Sequence, residues 1–133
     1  YLVPGLCDAH MHVESGMVTV TEFARAVIPH GTTSMFIDPH EIGNVLGLPG
    51  VRLMHDEAAD LPVNVFVQMP SCVPSAPGLE TAGAELGVGD IAEAMSWPNI
   101  IGLGMALFMI LELEKLALRR WRRSQDAQSG AGS

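Results

Sequence analysis

Four runs of apolar and β-branched residues recur along the chain, each followed by a turn and a stretch with helical spacing. The first runs from Leu2 to Val13. Thr19-Val20-Thr21-Glu22 then reads as a capping box, with Thr19 as N-cap and Glu22 reaching back from the third helical position. The helix it opens should bury Phe23, Ala26 and Val27 and stop at Pro29-His30-Gly31. The second strand is Thr32 to Asp38, and after a loop a helix is expected from about Val51 to Ala59. The third strand, Val63 to Met69, is bounded by Pro62 and Pro70. A Gly- and Pro-rich loop, a short helix near Asp90 to Ser96 and a fourth strand, Asn99 to Gly104, complete the series. Strand–helix alternation of this kind means right-handed βαβ units and a parallel sheet, so the fold class is α/β.

The two faces of each strand separate the possible architectures. On the first strand Cys7, Ala9, Met11 and Val13 share one face, and Asp8, His10 and His12 the other. On the third, Val63, Val65, Val67 and Met69 oppose Asn64, Phe66 and Gln68. An open doubly wound sheet requires two apolar faces, whereas a barrel with a site at its C-terminal mouth gathers polar groups inside. The pattern therefore predicts about the first four βα units of a (β/α)8 TIM-like barrel over residues 1–104. Residues 105–133 change character. Met105 to Trp121 reads as one helix and Ser124 to Ser133 as a flexible polar end. The run Ile100 to Leu111 is apolar for 12 residues, short of the about 20 that a membrane span needs, so a strand running into a helix is expected.

Charge narrows the partners. The net charge is −8, but residues 1–104 hold 12 acidic residues against Arg25 and Arg52, while residues 105–133 hold five basic residues against three acidic ones. An acidic body argues against nucleic-acid binding through backbone phosphates. Cys7 and Cys72 form no CxxC pair and suggest no disulfide framework, and with no signal peptide in view a reducing cytoplasm is the expected compartment.

His10-Met11-His12 carries the chemistry. Alternate strand residues share a face, so both imidazoles can approach one ion at about 2.0–2.2 Å. Asp8, on the same face, could orient a ligand from behind. Two solvated histidines at a strand end are the plain alternative. The stretch Leu2-Val3-Pro4-Gly5-Leu6-Cys7-Asp8-Ala9-His10-Met11-His12 resembles the opening barrel strand of the metal-dependent amidohydrolase superfamily. Val13-Glu14-Ser15-Gly16-Met17, Pro29-His30-Gly31-Thr32-Thr33, Asp38-Pro39-His40-Glu41-Ile42-Gly43-Asn44-Val45, Pro70-Ser71-Cys72-Val73-Pro74 and Glu80-Thr81-Ala82-Gly83-Ala84 narrow the resemblance to the adenine deaminases, in fixed order from about residue 2 to residue 104.

That resemblance implies a hydrolase that converts adenine and water to hypoxanthine and ammonia. It implies a divalent metal, manganese or iron, with His10 and His12 as ligands, and a purine substrate. Glu14, His40 and Glu41 become candidate catalytic groups of unassigned role, and Asp38, Ser71 and Cys72 candidate substrate contacts. His30 and His55, each beside a helix, are not expected to bind metal. A dihydroorotase-like cyclic-amide hydrolase shares the HxH strand, but the Asp38–Glu41 and Pro70–Cys72 blocks weigh against it. One departure stands out: the family's fourth strand leads to a metal-binding glutamate, and here Gly104 is followed by Met105. The chain alone is therefore expected to be inactive and to require further segments or a second copy to complete its barrel.

Overall fold

A computed structural model describes residues 2–102. The chain divides into two units, Tyr1–Leu103 and Gly104–Ser133, and all described residues lie in the first. The helical and flexible segments expected over 105–133, and the end of the fourth strand, fall outside them.

Four parallel strands, β1 (Leu6–Met11), β2 (Thr32–Ile37), β3 (Asn64–Met69) and β4 (Ile100–Gly102), form one sheet in the order β1-β2-β3-β4. Sequential neighbours without a reversal of order are what a barrel builds, since a doubly wound sheet changes direction at a switch point. Met35 and Ile37 of β2 and Val65, Val67 and Met69 of β3 are buried against Val20 and Ala24 of α1 (Val20–Val27), Val51, Met54 and Ala58 of α3 (Leu48–Ala58) and Ala94 of α4 (Val88–Ala94). The opposite face carries Ser34 and Phe36 beside Asn64 and Phe66. The two phenylalanines stack at 4.8 Å, and the Asn64 amide donates to the Ser34 hydroxyl. One apolar and one mixed face match the alternation read from β3.

Three details differ from the sequence reading. Cys7 and Ala9 are exposed, because β1 is an edge strand with β2 as its one partner among the described residues. The helix after β1 buries Val20 and Ala24, leaves Phe23 and Val27 half-buried and exposes Ala26. Its expected capping box is half formed. The Thr19 side chain accepts from Glu22 N–H at 3.5 Å, whereas Glu22 turns to Arg25. The Val20 and Thr21 N–H groups instead donate to the two carboxylate oxygens of Glu57 on α3, each at 3.1 Å.

A helix also stands where a loop was expected. α2 (His40–Leu46) follows β2 directly, and α3 begins at Leu48, ahead of the expected Val51. Gly43 inside α2 hides the helix from propensity, yet α2 packs there beside Val51, Val73 and Leu86, with room for a Cβ at ordinary contact distance. Gly47, at φ +66°, joins the two helices.

Candidate metal centre

The β1–β2 pairing is regular at neither end. Between Asp8↔Met35 and Met11↔Ile37 the first strand spends three residue steps against two. Such a bulge bends a strand and re-aims its side chains, and here it falls at Ala9 and His10. The two imidazoles meet edge to face with their Nε2 atoms 3.2 Å apart. Asp8 does not orient a ring; its carboxylate accepts the backbone N–H of His10 at 3.3 Å.

Each ring is held from behind. His12 Nδ1 lies 3.0 Å from the Asp38 carbonyl oxygen, and His10 Nδ1 lies 2.6 Å from the Gln68 side-chain oxygen at the end of β3. A carbonyl only accepts, so His12 carries its proton on Nδ1, and the neutral ring then has a bare Nε2. The two Nε2 atoms face each other at 3.2 Å, a spacing that a proton or a cation between the rings would bridge.

Asp38 supplies the matching anion. Its side chain is only 4% exposed, and Oδ2 lies 3.9 Å from His10 Nε2 and 4.0 Å from His12 Nε2. Its other oxygen, Oδ1, is buried without a hydrogen-bond partner among the described residues. Burial pushes the Asp38 carboxyl above the usual carboxylate range, opposed by the neighbouring His12, His40 and His10 rings. The three donor atoms lie within 4.8 Å of one another. Ligands bound at about 2.1 Å to one ion sit about 3.0–3.5 Å apart. The nitrogen pair already has that spacing, and the carboxylate reaches it by closing about 0.5–1 Å. Two imidazoles and an orphaned buried carboxylate fit a divalent cation.

The remaining candidates sit around this cluster rather than in it. Glu14, in the turn after β1, accepts the Ile42 N–H in the first turn of α2 at 3.2 Å. The Ser15 hydroxyl donates to Glu41, so the turn and the helix clasp each other twice. Among the described residues neither glutamate shares a hydrogen bond with the histidine pair. His40 opens α2 half-buried, near enough to Asp38 to influence its carboxyl. Ser71 and Cys72 are exposed on the loop after β3. His55 is buried in α3, with Nε2 2.8 Å from the Pro98 carbonyl, and His30 is exposed in the turn before β2. Two partners were not read as such from the sequence: Asp38 as a potential ligand and Gln68 as a support. A signal for both was present, since Gln68 is the last residue on the polar face of β3 and Asp38 continues the Ser34–Phe36 face just past the end of β2.

The family model described as "Amidohydrolase family" matches residues 1–123. The chain belongs to the amidohydrolase family. This amidohydrolase is 88% identical over 104 residues to a protein named adenine deaminase from Mesorhizobium japonicum, an alignment covering 78% of the chain and 17% of that protein. It is 79% identical to adenine deaminase 3 of Rhizobium meliloti, covering 78% of the chain and 18% of the relative. It is 64% identical to the adenine deaminase of Moorella thermoacetica, covering 78% and 17%. The chain thus spans about a sixth of the length of the curated relatives it matches. Within the described residues no helix is long and apolar enough to cross a membrane.

Proposed function

We propose that this amidohydrolase chain carries the first part of the metal site of an adenine deaminase, which converts adenine and water to hypoxanthine and ammonia. The observation that carries the reading is the convergence of two Nε2 atoms 3.2 Å apart beside a buried carboxylate at the mouth of the sheet. His10, His12 and Asp38 would hold a divalent cation, manganese or iron. When bound, such a cation supplies hydroxide near neutral pH by lowering the pKa of its water. The chain's own residues do the rest of the work visible here. Gln68 and the Asp38 carbonyl hold the rings, and the Glu14–Ile42 and Ser15–Glu41 contacts hold α2 over the cluster's edge. His40, Ser71 and Cys72, on elements that leave the same ends of β2 and β3, are assigned to the rim that meets the purine. The compartment proposed is the cytoplasm.

The test is a chimera in which this segment replaces the matching stretch of the Mesorhizobium relative. Hypoxanthine formation from adenine at a rate near the parent's is expected, with loss on His12→Ala. A well-folded chimera without activity would sink the proposal. The 133-residue chain alone is expected to bind Mn2+ without turning over adenine.

A second property follows from the edge. Most of β1 is exposed, Leu6 included, as are Leu2 and Val3 just before it. A parallel edge unpaired among the described residues, with apolar side chains, is a surface for strand addition or association. We propose that the chain associates through it, either with another copy or with further barrel strands. Sedimentation showing a monomer at every concentration would count against this.

A further inference from the structure

His10 is the more exposed of the two rings, with 46% of its side chain open to solvent against 37% for His12. We propose that Gln68 is a positioning residue for His10, holding its imidazole in the Nδ1–H tautomer and so reserving Nε2 for the cation. This rests on the metal reading above. Gln68 stands at the end of β3, 58 residues from His10 in sequence, and the residue is buried, 9% exposed. Register fixes it on both sides: the preceding pair is Ile37↔Val67, and Gln68 itself pairs with Ile101. The Oε1–Nδ1 distance is 2.6 Å.

The tautomer matters because an amide can present either end. With its NH2 toward Nδ1, neutral His10 would carry its proton on Nε2, aimed at His12 Nε2 only 3.2 Å away, and the cation would meet an N–H. With its oxygen toward Nδ1, both Nε2 atoms are bare and converge. His12 needs no such choice, since its support is a backbone carbonyl. The two supports come from the residue that follows β2 and from the end of β3, so the histidine pair at the end of the edge strand β1 takes its orientation from the interior of the sheet.

The experiment has two readouts on the 133-residue chain: ring nitrogen chemical shifts by NMR without metal, and Mn2+ affinity by titration. The wild type should show His10 as Nδ1–H. Gln68→Leu should lose that preference and weaken Mn2+ binding by about 10–100-fold, the usual effect of removing a group behind a ligand. Gln68→Glu keeps an acceptor and should retain the tautomer, with affinity at or above the wild type. It also serves if Gln68→Leu fails to fold. Wild-type His10 found as Nε2–H overturns the positioning role whatever the metal result. So does a folded Gln68→Leu with unchanged tautomer and affinity. If His10→Ala binds Mn2+ as tightly as the wild type, the metal reading fails, while the NMR measurement still decides the Gln68 contact.

Discussion

Replacing Glu57 by alanine should destabilise the fold from a position remote from any chemistry. The Glu57 carboxylate closes the N-terminus of α1 by accepting from Val20 and Thr21 N–H, each at 3.1 Å. These are two of the four donors that a helix start leaves without intrahelical partners. Losing an N-cap costs about 0.5–2 kcal/mol, and hydrogen bonds to a charged acceptor lie at the upper end of the general range, discounted here because Glu57 is half-buried and partly screened. About 2 kcal/mol is therefore expected for Glu57→Ala and about half that for Glu57→Gln, which keeps one acceptor oxygen. At a urea slope of about 2 kcal/mol/M, the alanine variant should unfold about 1 M earlier. Burial works to raise the Glu57 carboxyl, but hydrogen bonds from Thr19, Thr21 and the two backbone N–H groups outweigh it, and the group sits below its ordinary 4.5. Folding lowers this pKa, so the stabilisation is complete above pH 4.5 and fades as pH falls through the folded value. Urea titrations of the three proteins at neutral pH and near pH 3 check both statements. Equal midpoints at neutral pH, or a gap that persists undiminished in acid, would refute the capping role.

Two glycines should respond with opposite sign to the same substitution. A Cβ on Gly43 meets Val51, Leu86 and Val73 at 3.7–3.8 Å, ordinary contact inside a helix, so Gly43→Ala should stabilise by about 0.5–1 kcal/mol. A Cβ on Gly50 would stand 2.7 Å from the Ile42 carbonyl oxygen, and Gly50→Ala should cost about 1–3 kcal/mol; thermal melts of both variants decide. His12→Ala should weaken Mn2+ binding at least about tenfold, whereas His30→Ala, in an exposed turn, should leave the titration unchanged. His55→Ala should cost about 2 kcal/mol in a denaturant melt by orphaning the Pro98 carbonyl and opening a gap beside Trp97, with Mn2+ affinity unaltered.

Strand periodicity alone located all four strands and the alternation that puts His10 and His12 on one face, because a period of two is a property of the extended backbone itself. The HxH pair and the blocks around Asp38 and Ser71 likewise stood in the sequence as recognisable motifs. Three things did not. α2 was invisible because Gly43 lowers local helix propensity, while the packing that rescues it comes from α3 and from the loop after β3. The cap on α1 was only half legible: Thr19 is the N-cap that the local pattern names, but the carboxylate that joins it is Glu57, brought from 36 residues away, rather than Glu22. Asp38 and Gln68 joined the histidines only through strand register, which sets three different stretches of chain side by side at one end of the sheet. Motifs and periodicity record what neighbouring residues do to one another. Which distant carboxylate or amide completes a cap or a metal cluster depends on how the strands are aligned, and that alignment is settled by burying the apolar face of the whole sheet.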